Sequence, residues 1–173
     1  MKDSTILWAK YNLATDEKVR DLLVGVGDAG YTQERNTYYK SLRGLHLHYV
    51  QTYTFYMKLI RKNSENRLFV SPLTEDAYEV KAQTIEEVSK AALEYDQLFL
   101  SFAETVSEAD LHEPKTKRTM RNGKTYFLSV GDIVAQIINH TTHHRGQLSQ
   151  ILDELGIEHD IGGILVYAEE LKE

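Results

Sequence analysis

The residues best suited to chemistry fall in one short run near the C-terminus, "NHTTHHRGQ" at Asn139–Gln147, which holds three of the chain's seven histidines. Neutral imidazole is a good ligand for zinc, nickel or iron(II). The chain has no cysteine, which excludes disulfides, thiolate metal sites and a cysteine nucleophile together. On an α-helix, residues four apart lie one above the other on a single face. His140 and His144 have that spacing and continue an apolar stripe through Ile133, Ile137, Leu148, Ile151 and Leu155. His143 falls on a different face, in line with Gln136, Asn139, Gln147 and Gln150.

A third ligand has to come from elsewhere. His46 and His48 are two apart and cannot share a helix face, and His48 sides with Leu45, Tyr49, Thr52 and Phe55. The spacing therefore selects His48, His140 and His144 as the inward trio. His46, His112, His143 and His159 are expected in solvent or in loops. Two readings of the trio stay open at this point. Each imidazole can be a core residue hydrogen-bonded to a neighbour, or all three can bind one divalent ion. The second satisfies three buried polar groups at once, each worth about 1–3 kcal/mol if left unpaired. Three protein ligands also leave coordination positions for water or substrate, as in reactive metal sites. The zinc-peptidase pattern H-E-x-x-H is absent, because Thr141 stands where its glutamate would be.

These histidines need long elements to bring them together, and the periodicity supplies four. The first runs from about Ser4 to Val24, with Leu7, Tyr11, Ala14, Lys18 and Leu22 at threes and fours, widened by Trp8 and Val19. The second covers about Thr37 to Arg61. The third opens at Thr84 with Glu87 three residues on, a capping-box pattern, and carries Ile85, Val88, Ala92, Tyr95, Phe99, Phe102 and Val106. The fourth starts near Ser129, with Asp132 suited to the helix dipole, and Gly156 stops it. Stripes of this width bury against other helices. The expected fold is all-α, a four-helix bundle forming one domain over residues 1–173.

The connections refine the topology. Asn63–Gln83, with Pro72 and a strand-like "RLFVSP", is too long for a simple antiparallel turn and predicts a crossover that leaves helices two and three parallel. Asn122-Gly123 within "RTMRNGKTYFLS" predicts a small β-hairpin before helix four.

The residues then meet a known pattern. "HTTHHRGQLSQILDELG" resembles the H-x-x-x-H-R-G-Q signature of the DinB-like (DNA-damage-inducible) family of metal-binding four-helix proteins, and "YKSLRGLHLHYV" and "YNLATDEKVRDLL" resemble its helix-two and opening stretches. Carried over by position, the family's three metal ligands fall on His48, His140 and His144, the trio that spacing selects. One departure stands out: many relatives have an aspartate about four residues after the helix-two histidine, where this chain reads "HYVQTYTF" with Gln51 and Thr52. The resemblance implies a divalent metal (zinc, nickel or iron), a cytoplasmic location and a homodimer. Some relatives resemble transferases that use a low-molecular-weight thiol as cosubstrate, with the metal activating its sulfur. The leading functional expectation is such a metal-dependent transferase acting on a small-molecule substrate. Its rivals are a non-catalytic, stress-induced metal or small-molecule binding bundle, and a structural dimer without an ion.

Neighbouring residues carry plainer expectations. Arg145, off the metal face, is expected to anchor a carboxylate or a subunit contact. Gly146 in mid-helix costs about 1 kcal/mol relative to alanine, which suggests close approach of another backbone. Gln147 is assigned to helix packing or hairpin anchoring. Tyr11, Tyr49, Tyr53 and Tyr56 are expected as core or pocket wall.

Composition narrows the partners. The formal charge is −6, and the one concentrated basic run, "KTKR" at Lys115–Arg118, reads as a solvated loop, so nucleic acid is not expected. No apolar run approaches the roughly 20 residues of a membrane span. The N-terminus lacks the small-residue cleavage site of a signal peptide.

Overall fold

The computed structural model describes residues 1–63, 84–119, 123–161, 163–166 and 168. Its elements are α1 (Lys2–Thr32), α2 (Leu42–Asn63), α3 (Ile85–Thr105), a short α4 (Glu108–His112), strands β1 (Pro114–Thr119) and β2 (Thr125–Ser129), α5 (Val130–Glu154) and a 3₁₀ turn at Ile164–Val166. Four long helices form the expected all-α bundle.

Local chemistry sets the helix ends. The Thr84 hydroxyl accepts from Glu87 N at 3.2 Å while the Glu87 carboxylate accepts from Thr84 N at 3.1 Å, closing the capping box of α3. Ser129 and Asp132 do the same for α5. At the far end of α5, Gly156 takes φ +68 and Ile157 N donates to Leu152 O at 3.0 Å, while Gly156 N donates to Asp153 O. This is a Schellman stop, which glycine enters without a Cβ penalty. Gly27, at φ +70 and ψ 166, is non-helical and breaks α1 three residues beyond the expected Val24, and a further helical stretch follows the kink to Thr32.

Two apolar clusters fix the helix directions. One gathers Ala9, Met57, Ile60, Phe102, Val106, Val130 and Ile133. The other gathers Val19, Leu23, Leu42, Leu45, Ile85, Leu148 and Leu152. The starts of α2 and α3 thus share one end of the bundle with the finishes of α1 and α5. Helices α2 and α3 run parallel, as the long connection predicts. The crossover itself, with "RLFVSP" and Pro72, lies outside the described residues. The hairpin forms in the expected place: β1 pairs antiparallel with β2, Lys117 opposite Phe127 and Thr119 opposite Thr125. "KTKR" is therefore strand rather than loop.

All seven predicted core positions of α3 are buried. Helix α1 departs from expectation. Tyr11 and Val19 are buried as expected, but the rest of the buried face is Thr5, Ala9, Asn12, Thr15, Asp16 and Leu23, whereas Lys18 is exposed and Leu7, Ala14 and Leu22 are half-buried. The reason is polar. Asn12 and Asp16 turn inward to meet Arg145, so the side of α1 that packs is not its most apolar one.

Candidate metal centre

Helices α2 and α5 pack against each other and bring the predicted trio together. One ring nitrogen from each of His48, His140 and His144 lies within 4.8 Å of the other two. Ring centroids are 4.3 Å apart for His140–His144, 4.9 Å for His48–His144 and 5.4 Å for His48–His140. His144 Nε2 and His140 Nε2 stand 3.0 Å apart. Among the described residues no carboxylate or fourth histidine joins the group. His143 is exposed, as its register predicts.

Neighbouring side chains fix the rings. Gln147 Oε1 lies 2.7 Å from His144 Nδ1. A carbonyl oxygen accepts only, so Nδ1 carries the proton and Nε2 keeps its lone pair toward the cluster. Thr52 Oγ1, one helical turn on, sits 3.5 Å from His48 Nε2. Tyr39 stacks on His48 with centroids 4.6 Å apart and stands edge-on to His144 at 5.5 Å. His140 Nδ1 is buried and meets no partner among the described residues.

Electrostatics keep the cluster neutral. Burial, then the neighbouring His144, His48 and His143, pushes the His140 pKa down to about 3. Burial lowers His48, and it lowers His144 against the opposing bond from Gln147. Neutral imidazoles are the form that binds a metal. The set also fits an ion in size. Two nitrogens bound to one tetrahedral ion at about 2.0–2.1 Å are roughly 3.3 Å apart, close to the His140–His144 pair as it stands.

A buried polar layer lies beside the cluster. Arg145 Nε donates to Asp16 Oδ1 at 3.2 Å, its Nη2 donates to Asn12 Oδ1 at 2.8 Å, and Tyr49 donates to Asp16 through a short hydrogen bond. Arg145 anchors a carboxylate, as expected. It is 3% exposed, so this is a core ion pair. Asp96 of α3 is fully buried in the same region, and burial and Asp16 both raise its pKa.

Residues 1–169 match the model of the DinB family. The chain belongs to the DinB family. No curated protein matches it at a significant level. The expected family pattern thus covers the helices that carry all three histidines.

Within this DinB-family bundle, three expectations need correction. His46 is 2% exposed rather than solvated, because its face of α2 packs against the end of α1, where Tyr31 Oη lies 3.1 Å from its Nδ1. Gly146 has no close backbone neighbour: a Cβ built there meets nothing within 4 Å. Gln147 serves His144 more directly than it serves packing. Its signal was legible, since three residues on a helix bring side chains together. Tyr39 gave none: the periodicity starts helix two near Thr37, whereas α2 begins at Leu42 and leaves Tyr39 in the loop before it.

Proposed function

We propose that this protein binds a divalent ion through His48, His140 and His144 and uses it in a transferase reaction with a small thiol. The observation that carries the reading is the convergence of three neutral imidazoles, with no fourth protein ligand among the described residues. Zinc, nickel and iron(II) all suit such a donor set. A bound ion of this kind lowers the pKa of a coordinated thiol or water, supplying a nucleophile at neutral pH in a chain without cysteine. The protein's own residues do the rest. Gln147 holds the tautomer of His144, Thr52 faces His48, and the Tyr39 ring shields both histidines from water on one side.

Metal analysis of protein purified without an affinity tag, followed by a screen for consumption of cellular thiols with electrophilic acceptors, tests the proposal. Near-stoichiometric metal and a thiol that binds it are expected. Metal with no thiol bound at millimolar concentration leaves the second reading, a non-catalytic metal-binding bundle. Thr52 favours that alternative, because its hydroxyl cannot act as a carboxylate base. We also carry over a homodimer and a cytoplasmic location from the family likeness. Sedimentation at micromolar concentration checks the first.

A further inference from the structure

A cavity of about 120 Å³ adjoins the histidine cluster, and Tyr39 and Gln147 belong to both. Leu45 and Ile151 give it apolar wall, Tyr38 and Tyr39 contribute rings, and Gln150 and Glu154 contribute polar groups. Among the described residues Glu154 is the one charged side chain lining it, and its Oε1 accepts from Gln150 Nε2 at 3.4 Å. Liquid water takes about 30 Å³ per molecule, so the space suits a group of a few heavy atoms.

The loop that supplies the tyrosines is built with care. Lys40 has φ +66, a left-handed conformation that costs a non-glycine residue free energy and concentrates where backbone placement matters. Its amide donates to Thr37 O at 3.2 Å, and its carbonyl accepts from Arg35 N at 2.6 Å, closing the loop on itself. Gly44, in the first turn of α2, makes room for it. A Cβ at Gly44 would collide with the Tyr39 carbonyl oxygen. Two independent backbone features thus hold Tyr39 where its ring covers His48 and His144. Tyr38 beside it is 89% exposed, an apolar ring left open to a ligand.

We propose that this cavity is a ligand subsite of the histidine centre, that it takes the compact ammonium end of a small molecule, and that Tyr39 is the shared wall positioning the other end toward the histidines. A carboxylate and two aromatic rings around a small space attract a cation by charge and by ring quadrupole, and disfavour an anion. The subsite rests on the reading of the trio as the working centre. Its test does not need a metal.

Amide spectra of the metal-free protein are recorded with propylamine, propionate and propanol at equal concentrations, at pH 7. Propylammonium is expected to shift the signals of Tyr38, Tyr39 and Gln150, and propionate to leave them in place. Glu154→Gln removes the charge and should weaken propylammonium binding roughly tenfold, the loss of about 1.4 kcal/mol. Tyr39→Ala should weaken it comparably without touching α2, and Gly44→Ala should do so by displacing the loop. Equal binding of propionate, no binding of propylammonium, or a Glu154→Gln protein that binds the amine unchanged would each overturn the subsite. Because the titration uses metal-free protein, its failure leaves the metal reading standing, and failure of the metal reading shows instead in a zinc titration without changing these shifts.

Discussion

His140 Nε2 and His144 Nε2 face each other at 3.0 Å across one turn of α5. In the metal-free protein one of the two nitrogens donates and the other accepts. Gln147 settles which. Its Oε1 accepts a hydrogen bond from His144 Nδ1–H, so His144 Nε2 is the acceptor and His140 Nε2 the donor. When a metal is bound, His48, His140 and His144 would be the residues that hold it.

Gln147 should therefore matter beyond packing. Gln147→Leu is expected to weaken zinc binding about 10- to 100-fold, the usual effect of removing a group that orients a ligand. Competition against a zinc-binding dye measures it. Unchanged affinity would mean that the 2.7 Å contact does not hold the tautomer.

Arg145 tests the polar layer. Arg145→Leu leaves Asp16 buried without its cation, and breaking a buried pair costs about 3–5 kcal/mol. Urea unfolding should show an extrapolated stability lower by that amount. Arg145→Lys should rescue little, because an ammonium cannot reach Asp16 and Asn12 with separate, fixed N–H groups as guanidinium does.

His46 gives a pH dependence. Burial pushes its pKa down to about 4, against the opposing pull of Asp16. The unfolded chain takes up a proton near pH 6.5 and the folded one only near 4, so protonation favours unfolding between those values. Stability of the metal-free protein is full above about pH 6.5 and falls as the pH drops toward 4, by about 3 kcal/mol from this group. His46→Gln keeps a polar group for Tyr31 and cannot titrate, so its stability curve should be flatter across that window. Parallel curves for the two proteins would show that His46 is not the cause.

The sequence carried the site further than its surroundings. His140, His144 and His143 were sorted by a single rule of helical spacing, because α5 is long, capped at Ser129 and stopped at Gly156. The same rule mistook His46, since it ranks faces of one helix and cannot say that two faces of α2 are both covered. It misread α1 for a related reason. Asn12 and Asp16 look like solvent residues until Arg145, over a hundred positions away in sequence, turns out to be their partner. Tyr39 and Lys40 were read into the start of helix two, because no periodic pattern encodes the loop geometry that places them.

Metal loading should also stabilise the fold. An ion that binds only the folded form adds about 2.7 kcal/mol when present at a hundred times its dissociation constant. Calorimetric melting with and without zinc should show an upward shift of several degrees, and the shift should vanish in His48→Ala. A shift that survives in His48→Ala would place the stabilising ion elsewhere.

The central claim is that His48, His140 and His144, and not their sequence neighbours, hold the ion. Zinc titration of His144→Ala and His143→Ala under identical conditions tests it most directly, with His46→Ala as the matching control on α2. Alanine is a good helix former at each position, so the helices should persist. His144→Ala is predicted to lose affinity by orders of magnitude, while His143→Ala keeps about one ion per chain. Loss of binding in His143→Ala with retention in His144→Ala would contradict the account and move the centre to the other face of α5.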